Sequence, residues 1–317
     1  MKDDLIKLIN ELEKEREYQK IITMIEALSD EDKNSKIKLS LAKAYSHINE
    51  FDKTIEILES IKASESNTSI WNYCMGHSYY YLDNPSEAER YLLKALEINP
   101  EDKPSNFLLA LLYHELGDIE EPEEAIHYLN KSLEYFNVYS KLDAEEDITE
   151  DLISIEQKLA WNYDKLRNHK EAEIHLRKAI SLGDNEEWVF SQLAYNLRSQ
   201  ERYEEALESF KKAYDKDNNG WYLYSMGRCL RGLERYEEAI EILLKSRQIS
   251  LDEEDVVDGE DFELAHCYIG IGDKENAQKY LDSARDAIIE RGILNDYFKE
   301  KIDEIEKGIS SLDILFN

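Results

Sequence analysis

The octapeptide Glu201-Arg-Tyr-Glu-Glu-Ala-Leu-Glu208 returns 33 residues later as Glu234-Arg-Tyr-Glu-Glu-Ala-Ile-Glu241. A repeat of this period constrains the fold more than any other feature, because each copy is too short to bury its own apolar face and must stack on its neighbours. Aligning the looser copies on small residues extends the pattern along most of the chain. Seven units carry a small residue early in a first segment, at Ala42, Gly76, Ala110, Ala160, Ala194, Gly227 and Ala265. A second follows twelve residues on at Thr54, Ala88, Ala172, Ala206, Ala239 and Ala277, and fifteen on, at Ala125, in the Ala110 unit. A third lies seven further, from Ile61 and Ala95 to Ser246 and Ala284.

Bulky residues accompany the small ones at helical spacing. Tyr45, Tyr79, Tyr113, Tyr163, Leu197, Leu230 and Tyr268 lie three after the first small residue, and Leu58, Leu92, Leu129, Leu176, Phe210, Leu243 and Leu281 lie four after the second. A small side chain lets two antiparallel helices approach closely, and a bulky neighbour fills the adjoining groove. Turn chemistry such as Leu82-Asp-Asn-Pro85 separates the two segments, so each unit is expected to be a helical hairpin. Four prolines and eleven glycines in 317 residues also argue against a loop-rich all-β chain. The expected fold class is all-α, an α-α superhelix built as a solenoid of antiparallel hairpins.

This order of small and aromatic positions resembles the tetratricopeptide repeat. The match is fullest over 69–102, where Gly76, Tyr79, Ala88, Ala95 and Pro100 occupy the family's signature positions, although the signature tryptophan is displaced by one residue to Trp71. The resemblance divides the chain into a degenerate hairpin over 1–34, repeats over 35–142, an acidic insertion at 143–152, repeats over 153–291 and a capping helix over 292–317. A second acidic stretch, 252–261, interrupts the later repeats. Either stretch reads as a cation site or a contact for a basic partner, or more simply as a solvated extension of a helix pair.

The resemblance implies that the first helix of each hairpin lines an inner face that receives a peptide or a partner's helix. Positions 2, 5, 9 and 12 of a unit share one stripe of that helix. In the earlier repeats the stripe carries Tyr73, His77, Tyr80, Phe107 and His114. In the later ones it carries Trp161, Trp188, Tyr195, Arg198, Trp221, Tyr224, Arg228, Arg231, Phe262 and His266. Rings and guanidinium groups are the side chains that most often anchor interfaces. Arg228 and Arg231 lie three apart, and Arg198 occupies the place of Arg231 one repeat earlier, so the three are expected to converge on an acidic group. The expected partner is a protein or peptide offering an acidic or C-terminal carboxylate group. Family members that grip a chaperone tail do so with lysines and asparagines at positions 5 and 9; Leu39 and Lys43, Tyr73 and His77, and Phe107 and Leu111 stand there instead, which argues against that role.

Charge narrows the partner further. Seventy acidic and 39 basic side chains give a formal net charge of −31, a field that repels nucleic acid. No run reaches the ~20 apolar residues of a membrane span. The charged N-terminal segment lacks a secretory pattern, which points to the cytoplasm. Cys74, Cys229 and Cys267 form neither a disulfide framework nor a zinc motif. Asp215-Lys-Asp-Asn-Asn-Gly220 begins like a calcium loop, but Met226 stands where a bidentate glutamate is required. No signature of a catalytic nucleophile, phosphate loop or zinc helix is present, so no cofactor is expected. The reading is a non-catalytic binding scaffold; the alternative is a regulatory receptor whose superhelix changes shape on binding peptide, and a metal-dependent enzyme using the inner histidines comes last.

Overall fold

The computed structural model describes residues 2–142, 146–252 and 256–315. The chain forms two compact units, Met1–Ile155 and Glu156–Asn317. Among the described residues all the regular structure is helical. The first unit holds α1 (Lys2–Lys14), α2 (Tyr18–Glu26), α3 (Ser35–His47), α4 (Phe51–Ser60), the single turn α5 (Lys62–Glu65), α6 (Ser69–Tyr81), α7 (Pro85–Ile98), α8 (Lys103–Leu116), α9 (Pro122–Ser140) and the start of α10 (Thr149–Lys165). The second holds the remainder of α10, then α11 (His169–Ser181), α12 (Glu187–Ser199), α13 (Tyr203–Lys216), α14 (Gly220–Gly232), α15 (Tyr236–Asp252), α16 (Asp258–Gly270), α17 (Lys274–Glu290) and α18 (Asp296–Leu315). The all-α class is as expected, and each unit is a stack of antiparallel hairpins.

The small-to-bulky register has a direct steric cause. A Cβ placed on Gly76 of α6 would stand 2.7 Å from Leu92 of α7, and one on Gly227 of α14 would stand 2.5 Å from Leu243 of α15. Each hairpin therefore closes with the bulky residue of the second helix seated over the small residue of the first. Where the second or third small residue carries a hydroxyl, it can tie the pair by a buried bond. Thr54 Oγ1 donates to the Ala42 carbonyl at 3.2 Å, and Ser132 Oγ to the Ala110 carbonyl at 2.7 Å. The displaced tryptophan joins neighbouring hairpins. Trp71 is buried, and its Nε1 donates to the Leu58 carbonyl of the preceding hairpin at 2.9 Å.

The turns repeat as faithfully as the helices. Arg16, Asn49, Asp83, Arg167, Glu201 and Glu234 each take a left-handed conformation with φ between 55° and 62° between the two helices of a hairpin, and Gly272 does the same at φ 79°. Only the last of these is a residue for which that region costs nothing. The turn after α8 is different, with Gly117 at φ −75° and the second helix opening later at Pro122. That accounts for the fifteen-residue spacing to Ala125. Side-chain caps stop the chain from unravelling at several helix starts: Asn84 accepts from the Glu87 amide, Asp102 from Ser105 and Asp273 from Asn276.

Of the two acidic stretches, the second departs from expectation, while Glu146, Asp147 and Glu150 of the first are exposed. Residues 143–145 and 253–255, and with them part of each candidate cation site, lie outside the described residues. What is described is structural. Asp147 Oδ1 accepts from the Thr149 amide and hydroxyl at the entrance to α10. Asp258 pairs with Arg291 at 3.0 Å, and Glu260 accepts from Ser246 at 2.9 Å and from Ser250 at 3.0 Å. Asp261 is wholly buried against Arg247 at 2.6 Å. The run at 258–261 is thus no solvated extension, because its carboxylates turn inward and find partners on α15, at Ser283 of α17 and at Arg291 just beyond it. At the end of the second unit, α18 lays Ile302, Ile305 and Ile309 on the core formed by α16 and α17.

Candidate functional site

In the first unit, Tyr73, His77 and Tyr81 follow one another along a stripe of α6. The His77 ring lies 5.6 Å from Tyr73, 4.8 Å from Tyr81 and 6.0 Å from Phe51 of α4, and its Nδ1 meets Ser46 Oγ at 3.0 Å. Burial, reinforced by the neighbouring His47, pushes the His77 imidazole down to about 4. The Tyr80 hydroxyl donates to Glu115. Phe107 packs on Phe136 and Tyr139 at 6.0 and 5.0 Å, and His114 Nε2 bonds Ser154 Oγ at 3.1 Å. These five residues are thus largely engaged with their own unit.

The His77 environment has a measurable consequence. The unfolded chain takes up this proton near 6.5, whereas the folded chain resists it until about 4. The unfolded state therefore binds more protons across that window, and stability falls as the pH drops from 6.5 towards 4, by about 2–3 kcal/mol at most. Urea midpoints between about pH 7 and pH 4.5 should fall less steeply for His77→Gln than for the native chain. Parallel slopes would count against a neutral, buried ring.

The second unit arranges its expected residues differently. Trp161 is 49% exposed beside Lys165, while Trp188 packs partly into the core. Tyr195 stands edge-on to Phe210 and accepts a hydrogen bond from Trp221 Nε1. Trp221 itself is 56% exposed, its ring 5.2 Å from Tyr224. Arg198 lies over the Tyr195 ring at 5.2 Å and Arg228 over the Tyr224 ring at 5.7 Å. The α14 helix thus places Trp221, Tyr224, Arg228 and Arg231 along one side, as spacings of three and four residues require.

The charges gather around one carboxylate. Glu263 of α16 is buried, and its two oxygens take Arg228 Nε at 3.3 Å and Arg231 Nε at 2.6 Å. Each arginine keeps over a third of its side chain exposed. Arg198 has its pKa lowered, first by burial and then by the charge of Arg228. Lys301 of α18 has its pKa lowered by burial and by Arg228 and Arg231, against the pull of Glu263. His266 is lowered by burial and by Arg231. Tyr224 is pushed up to about 12 by burial and by Glu263. Two arginines therefore share a single buried carboxylate whose charge also reaches Lys301 and His266, while Arg198 stands within the field of Arg228.

Two of these participants are absent from the stripe read off the sequence. Glu263 belongs to another face of α16, and Lys301 comes from the terminal helix. No spacing could have signalled them, since Glu263 follows the acidic residues Asp258, Glu260 and Asp261 on the same helix and does not stand out among them. Phe262 is a correction. It is 1% exposed, because α18 lays Phe298 and the Lys301 ammonium over it, so it belongs to the core and lines no open face. On the other side of Trp221 and Tyr224 lies a recess of about 220 Å³ with Asp258 and Glu260 in its wall, their charges already engaged by Arg291 and two serines. Among the described residues, no group of three or more His, Cys, Asp or Glu could hold a metal ion, and no helix is long and apolar enough to cross a membrane.

Comparison with known proteins places this geometry. Tetratricopeptide repeat profiles match residues 70–102, 91–126 and 262–284, and the profile of anaphase-promoting complex, cyclosome, subunit 3 matches 165–246. No curated protein matches the chain. Among solved structures it is similar to YrrB, a TPR protein with an unusual peptide-binding site, at 19% identity and a TM-score of 0.50, over 68% of this chain and 97% of that one. It is similar also to the APC/C hetero-tetramer Cut9-Hcn1, at 15% identity and a TM-score of 0.42, over 91% of this chain and 51% of that one. The chain thus spans about half the length of that second relative. A putative kinesin light chain from Podosopora anserina, with nearly identical TPR-like repeats, is 17% identical with a TM-score of 0.43, over 61% of this chain and 98% of that one. At these identities the solved structures speak for the fold alone. The repeat profiles meet the hairpins at the small-residue register and left-handed turns already described, and the chain is a tetratricopeptide repeat protein.

Proposed function

We propose that the second unit binds a segment of a partner protein through an acidic group held by Arg198, Arg228, Arg231 and Lys301, with Trp221 and Tyr224 gripping an apolar neighbour. The observation that carries this reading is the sharing of buried Glu263 by Arg228 and Arg231. One carboxylate fixes two guanidinium groups in place and leaves their outer N–H groups, together with Arg198 and Lys301, short of negative charge. In a chain of net −31 such a local excess of cations is conspicuous. Guanidinium groups already oriented lose little entropy when they take a carboxylate, and the half-exposed Trp221 ring offers apolar area beside them. A free C-terminus or an acidic side chain would meet this requirement equally.

Selection from a random peptide library on the native protein should enrich sequences that pair an acidic group with an apolar or aromatic residue. For a selected peptide, Arg228→Glu is expected to weaken binding by roughly 10- to 100-fold, since it replaces attraction by repulsion at the ligand's anion. The far-UV circular dichroism should be unchanged, because Arg231 still holds Glu263. No acidic enrichment, or undiminished binding by the variant, would contradict the reading.

A further inference from the structure

The first unit contains a cavity of about 310 Å³ bounded by α1, α2, α3, α6 and the start of α8. Its wall is rich in charge. Glu13 projects from α1, Lys43 and His47 from α3, and Asp102 from the cap of α8, while Tyr18 and Tyr73 supply aromatic walls. Glu13 Oε1 is buried, and among the described residues nothing donates a hydrogen bond to it. Lys43 has no carboxylate within ion-pair distance among the described residues. Asp102 spends Oδ2 on Ser105, accepting from its amide at 3.1 Å and its hydroxyl at 2.6 Å, which leaves Oδ1 for other donors. His47 stacks on Tyr18 at 4.1 Å, and burial lowers its pKa, so the imidazole adds no charge at neutral pH.

A buried acceptor without a donor costs about 1–3 kcal/mol, and the cost is recovered when a ligand supplies the N–H. Two carboxylates favour a cation, but a lone cation would also meet the charge of Lys43. A group bearing both signs satisfies every charged residue in the wall. The volume lies at the lower end of the range for small-molecule sites and suits one amino-acid residue.

We propose that this cavity is a binding site for a zwitterionic group of amino-acid size, its ammonium or guanidinium held by Glu13 and Asp102, its carboxylate by Lys43, and its carbon frame by Tyr18 and Tyr73. The site differs in charge logic from the arginine cluster of the second unit and stands independently of the function proposed for that cluster. Two sources share this chemistry: a free amino acid, and a peptide with adjacent basic and acidic side chains.

Isothermal titration of the full chain with each of the common free L-amino acids, and with the doubly capped dipeptide acetyl-lysyl-aspartyl amide, tests the proposal. At least one of these probes should bind with a Kd below about 1 mM. Binding of a free amino acid identifies the first source, and binding of the capped dipeptide alone identifies the second. Glu13→Gln and Lys43→Met should each weaken the interaction by about tenfold or more, while Arg228→Glu should leave it unchanged. Glu13→Gln keeps the shape of the side chain and removes the charge from a group whose Oε1 is buried without a donor, so its thermal midpoint should not fall, which separates lost binding from lost folding. No binding by any probe, undiminished binding by both variants, or equal binding of a probe whose charged amine or charged carboxylate has been neutralised (in the dipeptide, those of the lysine and aspartate side chains) would overturn the proposal.

Discussion

Phe262→Ala is expected to destabilise the second unit by about 3–5 kcal/mol, the usual range for removing a fully buried ring from a core. The side chain is 1% exposed, lies 6.3 Å from the near-parallel Phe298 ring, and belongs to the cluster that includes Ile302, Ile305 and Ile309 of α18. Truncation leaves a cavity that the flanking helices cannot fill without shifting α18. Urea unfolding should show the loss directly, and amide exchange in Asp296–Leu315 should accelerate, because that helix rests on the ring. Had Phe262 lined an open face, as its repeat position suggested, the change would be well under 1 kcal/mol. The experiment therefore decides between core and interface for this residue.

Asp261→Ala should cost a comparable ~3–5 kcal/mol, by a different mechanism. The carboxylate has no exposed surface; Oδ1 takes Arg247 Nε at 2.6 Å and Oδ2 takes the Ser283 hydroxyl at 2.6 Å. One buried anion thus joins α15, α16 and α17. Its removal strands a largely covered guanidinium, and the penalty of an uncompensated charge outweighs the modest worth of the intact pair. The double variant Arg247→Met with Asp261→Leu should recover most of the stability, because no charge is then left alone. If the alanine variant lost little in urea, and added calcium shifted the native midpoint, the carboxylate would be a cation ligand instead.

The two residues are next to each other in the chain, and spacing alone misplaces both. The repeat tells which residues face a neighbouring first helix; it cannot tell that α18 arrives above Phe262. The acidic run is visible, but an acidic run ordinarily stays in water, and nothing local marks Arg247, Ser246 and Ser250 as its partners. The arginine cluster is half legible. Spacing places Arg228 and Arg231 on one side of a helix, yet the carboxylate that orients them and the fourth cation at Lys301 come from helices whose approach no repeat position encodes. The cavity of the first unit is legible only in Lys43 and Tyr73, which stand on the inner stripe, since Glu13 and Asp102 lie outside it and about 90 residues apart.

What the sequence by itself determined is the hairpin. Helical period, the small residue opposite the bulky one, and the turn between them act over a few residues, and each is satisfied within about 34 positions. Gly76 against Leu92 and Gly227 against Leu243 are that local rule realised in space. What only the tertiary structure decided is the electrostatic environment. A charge in an exposed position is nearly indifferent to its surroundings, whereas a charge taken out of water must find a partner from whichever element packs against it. Glu263 and Asp261 acquire their roles in that way, and so do the cations that surround the first of them.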